Sequence, residues 1–184
     1  MVTFLLVCLA PRCAGRSSTL PPQGLGEYEV KAAFLLNFAK FVEFPVDAFA
    51  RPDDPIVISV IGQDPFGPAL GDQVSSKSVN GRSFVIVRQK NGRSVPPCHI
   101  LFVSQSESRN LPQIIEQLRG RSVLTVGDTD DFARAGGMIR LFLEDDRVKM
   151  EINAHAAERA GLKISSKLLA LARLVSDRPG GSRN

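Results

Sequence analysis

Between Glu27 and Phe44 the apolar residues Val30, Phe34, Phe38 and Phe41 recur at helical spacing. Ala33, Leu35 and Val42 widen the stripe, while Lys31, Asn37 and Lys40 mark a polar side. Glu27 and Glu29 suit the N-terminal end of the helix dipole, and Pro45 stops the helix. Residues 56–61 (IVISVI) form a continuous apolar run bounded by turn residues, the pattern of a strand covered on both faces. Asp64 and Pro65 then predict a capped helix start, with a short helix ending near Gly71 or Val74. Asn80-Gly81 signals a turn before a strand at 83–87, and 98–104 predicts the next strand. A helix follows over Glu107–Arg119, with Leu111, Ile114, Ile115 and Leu118 on one face and Gly120 as its stop.

Residues 122–126 predict a fourth strand, and 131–135 a short helix ended by Gly136-Gly137. The runs 138–143 and 148–152 read as an antiparallel pair across Glu144–Arg147. Asn153 caps a helix over 154–160, Gly161 breaks it, and Ser165 or Ser166 opens a last helix through Val175. Strands alternating with helices over 56–126 imply one three-layer α/β domain. Its sheet is mainly parallel, with helices on both faces and a C-terminal antiparallel hairpin. The domain is expected over residues 27–176, followed by a disordered tail at 177–184.

The ends carry a second kind of information. Val2–Ala10 is an apolar run of signal-peptide length, too short to span a bilayer, and Cys13-Ala14-Gly15 offers small residues for a cut after Gly15. Residues 1–15 are therefore expected to be a signal peptide and 16–26 a Pro/Gly-rich linker, although a basic n-region is missing. Removal of the signal takes Cys8 and Cys13 with it and leaves Cys98 alone, which excludes an internal disulfide. Cys98 begins an apolar run, so burial is its expected fate.

Charge and composition exclude several functions. The formal charge is +4, but the cations are scattered, as on a mixed solvated surface rather than a nucleic-acid stripe. Trp is absent and Tyr occurs once, so the aromatic content rests on eleven Phe, a core composition. His99 neighbours Cys98, and adjacent strand residues point to opposite faces, so they form no nucleophile–base pair. Two His and one Cys make no usual zinc set, so no metal or cofactor is expected. Gly62–Gly67 (GQDPFG) lacks a phosphate-loop Lys. The carboxylates at 128, 130 and 131 and at 145 and 146 sit in a capping loop and at a hairpin tip, where solvated turn residues are the simpler reading. No catalytic residues emerge.

Six ordered segments point to a family. They are Ala32–Pro45 (AAFLLNFAKFVEFP), Gly62–Gly67, Cys98–Ser104 (CHILFVS), Gly136–Phe142 (GGMIRLF), Met150–Asn153 (MEIN) and Ala160–Ala172 (AGLKISSKLLALA). Together they resemble the YfiR-like family over nearly all of the mature chain. The resemblance implies a periplasmic, non-enzymatic regulator that dimerises and binds the periplasmic part of an inner-membrane diguanylate cyclase. It thereby implies control of cyclic-di-GMP and biofilm formation. A sensor kinase as the membrane partner and an outer-membrane lipoprotein as a further one belong to the same expectation. Some members are linked to redox control through disulfides. Here Ser59 stands where a partner cysteine would be sought on the first strand, which argues against a Cys98 switch.

Carried over by motif, the ligand- or partner-binding candidates are Glu151 and Asn153, then Lys163, Ser165 and Ser166, with Asn37, Lys40 and Glu43 on the first helix. Helix capping explains Asn153 and Ser165 as well. The competing function is a periplasmic small-ligand-binding or sensor module without a cyclase partner, with its pocket at the carboxyl ends of the parallel strands.

Overall fold

The structure, a computed structural model, describes residues 25–75 and 77–178. The expected signal peptide (1–15), most of the linker and residues 179–184 of the expected tail lie outside the described residues. Leu25 and Gly26 already belong to the first helix, and Arg178 still donates its backbone N–H to Arg134 O.

The sheet is the organising element. It contains β2 (Ile56–Ile61), β3 (Ser78–Val79), β4 (Arg82–Gln89), β5 (Ile100–Val103), β6 (Leu124–Gly127), β7 (Ile139–Glu144), β8 (Arg147–Ile152) and β10 (Arg173–Leu174). Their order is β10-β8-β7-β6-β5-β2-β4-β3. Pairing is parallel from β7 through β4 and again between β10 and β8. It is antiparallel in the β3–β4 and β7–β8 hairpins. Both hairpins turn on two residues of positive φ, Asn80-Gly81 and Asp145-Asp146, which matches the twist of the flanking strands.

Alternation along the strands feeds two cores. Ile56, Ile58, Val60, Ile100, Phe102, Leu124 and Val126 face one layer; Ile61, Leu101 and Val103 face the other. The first layer receives α1 (Leu25–Phe41), α2 (Pro68–Val74), α4 (Ala154–Arg159) and α5 (Ser166–Leu169). The second receives α3 (Leu111–Gln117) together with Val95, Cys98 and Phe132. The mainly parallel sheet with helices on both faces is thus the observed architecture.

Several local expectations are corrected. α1 ends at Phe41, three residues before the expected stop, because Val42–Glu43 forms β1 and pairs antiparallel with β9 (Lys163–Ile164). Its buried face runs through Lys31, Ala32, Leu35, Leu36, Phe38 and Ala39, while Val30 is exposed. Lys31, assigned to the polar side, is only 2% exposed. α2 begins at Pro68, because Asp64 closes an Asx turn onto Phe66 N (2.8 Å) instead of capping a helix. The 107–119 helix is a 3₁₀ segment over Gln105–Asn110 followed by α3. Residues 131–135 form turns, not a helix. There Gly127 and Gly137 leave room for Phe132, and a Cβ on Gly127 would lie 2.5 Å from its ring. The last helix is one turn long, and the chain returns as β10 on the outer edge of β8, so the hairpin does not end the sheet.

Candidate functional site

Two adjoining hollows run between α1 and the β3–β4 hairpin. One, of about 320 Å³, is lined by Leu36, Asn37, Lys40, Lys77, Val79 and Phe84 among others. The next, of about 480 Å³, shares Lys40 and Val79 and continues past Glu43, Phe44, Phe49 and Arg82. Together they make a groove with an apolar floor and polar walls.

Three of the sequence candidates, Asn37, Lys40 and Glu43, line this groove, and all three are exposed. Lys163 is the register partner of Glu43 in the β1–β9 ladder. Ser165 is bound to the end of α1, its backbone N–H donating to Phe41 O (2.8 Å), and its side chain accepts from Leu168 N. Ser166 is exposed beside it. Six of the eight candidates therefore gather around the C-terminal end of α1.

The other two lie apart from the groove. Glu151 is 5% exposed and sits between Arg140 Nη1 and Arg173 Nη1, each 3.4 Å away. Asn153 is fully buried. Its Oδ1 accepts from Ala156 N (3.1 Å), and its Nδ2 donates to Ala133 O (2.8 Å) and Asp177 Oδ1 (2.6 Å). Both of its polar atoms are engaged within the fold.

Sequence reasoning missed Lys77 and Arg82, because the hairpin reaches α1 only through tertiary packing. Arg82 is committed to structure: its Nη1 donates to Asp54 O (2.6 Å) and Arg51 O (3.1 Å), and its guanidinium stacks on Phe49, 3.7 Å from the ring centroid. Phe49 stacks in turn on His99, with centroids 4.2 Å apart. Lys40, Lys77 and Lys163 have no carboxylate partner among the described residues, whereas Lys31 and Lys149 do. The groove thus presents the Lys40 and Lys77 ammonium groups and the Glu43 carboxylate above apolar surface.

A second constellation escaped the sequence altogether. Lys31 Nζ lies 2.6 Å from Glu27 Oε1 and 3.4 Å from Asp128 Oδ2. Tyr28 Oη donates to the same Asp128 oxygen at 2.7 Å. Burial, and then the Asp128 carboxylate, push the Tyr28 hydroxyl above its ordinary range. The cluster ties the start of α1 to the carboxyl end of β6.

Chemistry remains sparse. Among the described residues no three His, Cys, Asp or Glu side chains are grouped as a metal site, and no helix is long and apolar enough to cross a membrane. His99 accepts from Val57 N at Nδ1 (2.9 Å), so its Nε2 carries the proton and donates to Ala48 O (3.1 Å). Both ring nitrogens are spent on backbone. Cys98 is buried, and burial raises its thiol to about 11, the reverse of an activated thiolate. Ser59, on β2, stands in register with Leu101 rather than Cys98.

Comparison with protein families places the match over most of this fold. The family described as YfiR/HmsC-like matches residues 28–173, from the second turn of α1 to β10. Comparison with curated proteins found no match.

Proposed function

Because the chain belongs to the YfiR/HmsC-like family, we propose that it is a periplasmic regulator that acts by binding the periplasmic part of an inner-membrane signalling protein. A membrane diguanylate cyclase is the leading partner and a sensor kinase the second. The output is then cyclic-di-GMP level and biofilm formation. The working form is a homodimer, an outer-membrane lipoprotein is a further contact, and no catalytic step is involved.

The observation that carries this reading is the α1–hairpin groove. Lys40 and Lys77 stand on its two walls without carboxylate partners among the described residues, above a floor of Leu36, Val79 and Phe84. Unpaired cations around buried apolar surface supply orientation and affinity for an acidic protein segment. Glu43 and Lys163 extend the same face with one charge of each sign, which suits register selection.

The test is affinity capture from the native envelope with mass spectrometry, comparing the wild type with Lys40→Glu/Lys77→Glu. Recovery of a membrane cyclase or kinase by the wild type, and its loss with the double variant, supports the proposal. Recovery of no membrane signalling protein by the wild type counts against the regulator. Equal recovery by both proteins keeps the regulator and moves the contact away from the groove.

A further inference from the structure

Across the end of the sheet another hollow opens between the end of α3, which packs on one face, and α4, which packs on the other. It encloses about 370 Å³, and its apolar walls are Ile115, Leu118, Val123, Met138 and Ala156. It lies at the amino ends of β6 and β7, since Val123 directly precedes β6 and Met138 directly precedes β7. This is the end of the sheet opposite to the one where a small-ligand pocket is expected from the sequence. Through Gly120, Arg121 and Val123 it joins a more polar hollow of about 440 Å³ that reaches His99.

The charged residues that line this hollow are all arginines, and Asp47 and Asp54 enter only in the polar hollow that joins it. Arg119, Arg121 and Arg159 line the apolar hollow, and no carboxylate does. Arg119 leans on Glu116 (2.9 Å) and Arg159 on Asp177 (2.7 Å). Arg121 differs from both. Its Nη1 and Nη2 donate to Val95 O (3.2 Å) and Pro96 O (2.8 Å), and it has no acidic partner among the described residues. A guanidinium has five N–H donors, and two of these are spent here on neutral carbonyls. The side chain is half-buried, so its charge is partly desolvated without a counter-ion.

The floor offers almost nothing to a polar ligand. Thr125 is the polar side chain there, and its hydroxyl already accepts from Met138 N at 3.0 Å. Met138 contributes a flexible thioether wall that adapts to a chain without fixed shape. The volume stands at the small end of the roughly 300–1,000 Å³ usual for ligand pockets.

We infer that this cleft binds a single-chain amphipathic anion of the fatty-acid class, its carboxylate on Arg121 and its chain against Ile115, Leu118 and Met138. A bidentate carboxylate would complete the unused face of the guanidinium and replace its missing counter-charge. The chain would cover the apolar walls. Neither contribution involves the groove on α1, so this inference stands whether or not that groove binds a partner.

Methionine methyl NMR reads the site directly, because Met138 lines the cleft while Met150, buried in the same core, does not. The full chain, labelled at its methionine methyls, is titrated with decanoate, decanol and decyltrimethylammonium, each below its aggregation threshold. The expected result is a saturable shift of Met138 with decanoate, little change at Met150, and binding of the cation weaker by about tenfold or more. Arg121→Gln should weaken decanoate by about tenfold while leaving decanol unchanged. Ala156→Leu, which fills the cleft, should abolish both. Arg121 also braces the Val95 and Pro96 carbonyls, so if its variant fails to fold, the comparison of anion and cation on the wild type decides. An unmoved Met138, equal binding of both charges, or equal shifts at Met138 and Met150 overturns the inference.

Discussion

The ammonium of Lys31 lies 2.6 Å from the carboxylate of Glu27 and, turned inward, 3.4 Å from that of Asp128. An i,i+4 pair of this kind is worth a few tenths of a kcal/mol on a helix surface. Here the Lys31 side chain is 3% exposed and that of Asp128 5%, so removal of one partner strands a buried charge. Lys31→Met should therefore cost about 3 kcal/mol or more in urea unfolding followed by far-UV circular dichroism. Glu27→Gln, at the wetter end of the cluster, should cost no more than about 1 kcal/mol. A neutral Lys31→Met would mean that the cluster does not anchor α1.

His99 predicts a pH dependence. Burial holds its pKa below the ordinary histidine value, and the neighbouring Arg82 acts in the same direction; the hydrogen bond to Ala48 O and Asp54 partly oppose them. Asp47 and Arg121 face the same hollow. The unfolded chain thus binds a proton at a higher pH than the folded one, so stability is lost on acidification. The contribution is complete above about pH 6.5 and declines from there down to the folded-state pKa. Protonation also turns Nδ1 into a donor facing the Val57 N–H. Melting temperatures measured from pH 7.5 downward should fall for the wild type, and His99→Gln should flatten that fall. Parallel curves for the two proteins would remove His99 as the cause.

Cys98 should be chemically silent in the native state. In a chain carrying Cys8→Ser and Cys13→Ser, a thiol held at about 11 by burial should resist a disulfide reagent at neutral pH and react fully in urea. Rapid native labelling would instead show that the 95–99 segment opens, and would restore a redox role to this residue.

Asn153 separates folding from recognition among the candidate residues. It has no exposed surface and three hydrogen bonds, so Asn153→Ala should destabilise the domain by about 2–3 kcal/mol through the lost cap and the unpaired Ala133 carbonyl. Ser166→Ala, on the exposed neighbour of a cap rather than the cap itself, should stay within about 0.5 kcal/mol. Urea midpoints of the two variants, compared with their partner recovery, distinguish a binding defect from an unfolding one.

The features legible in the sequence are those set by neighbours in the chain. Residues 56–61 are a strand at the predicted limits because five apolar residues and Ser59, in succession, are covered on both faces. Asn153 and Ser165 cap the helices they precede because capping is a contact across three residues. What escaped was non-local. Val42–Glu43 leaves the helix because Lys163–Ile164 offers it a ladder, and Arg173–Leu174 becomes a strand because the edge of β8 is open to it. α1 is apolar on more than one side, so its periodicity could not show whether Val30 or Lys31 faced inward. The structure selects Lys31 because Asp128 is waiting there. The same limit applies to the candidate site: Asn37, Lys40 and Glu43 could be named from one helix, whereas Lys77 comes from a hairpin on the far wall.

Two fastenings of α1, one at each end, are made by chain that is synthesised long afterwards. Tyr28 and Asp128 are 100 positions apart, and Val42 waits for Ile164. Synthesis proceeds from the N-terminus, so the first helix can settle early on residues 66–74, where Tyr28 meets Phe66 and Gln73 Nε2 donates to Glu29 O, while its two ends stay loose until Asp128 and Ile164 arrive. A chain broken off before residue 163 would carry every strand from β2 to β8 and still leave α1 undocked at its C-terminal end. The helix is thereby a gauge of length: both of its ends are pinned only in molecules that extend past residue 164.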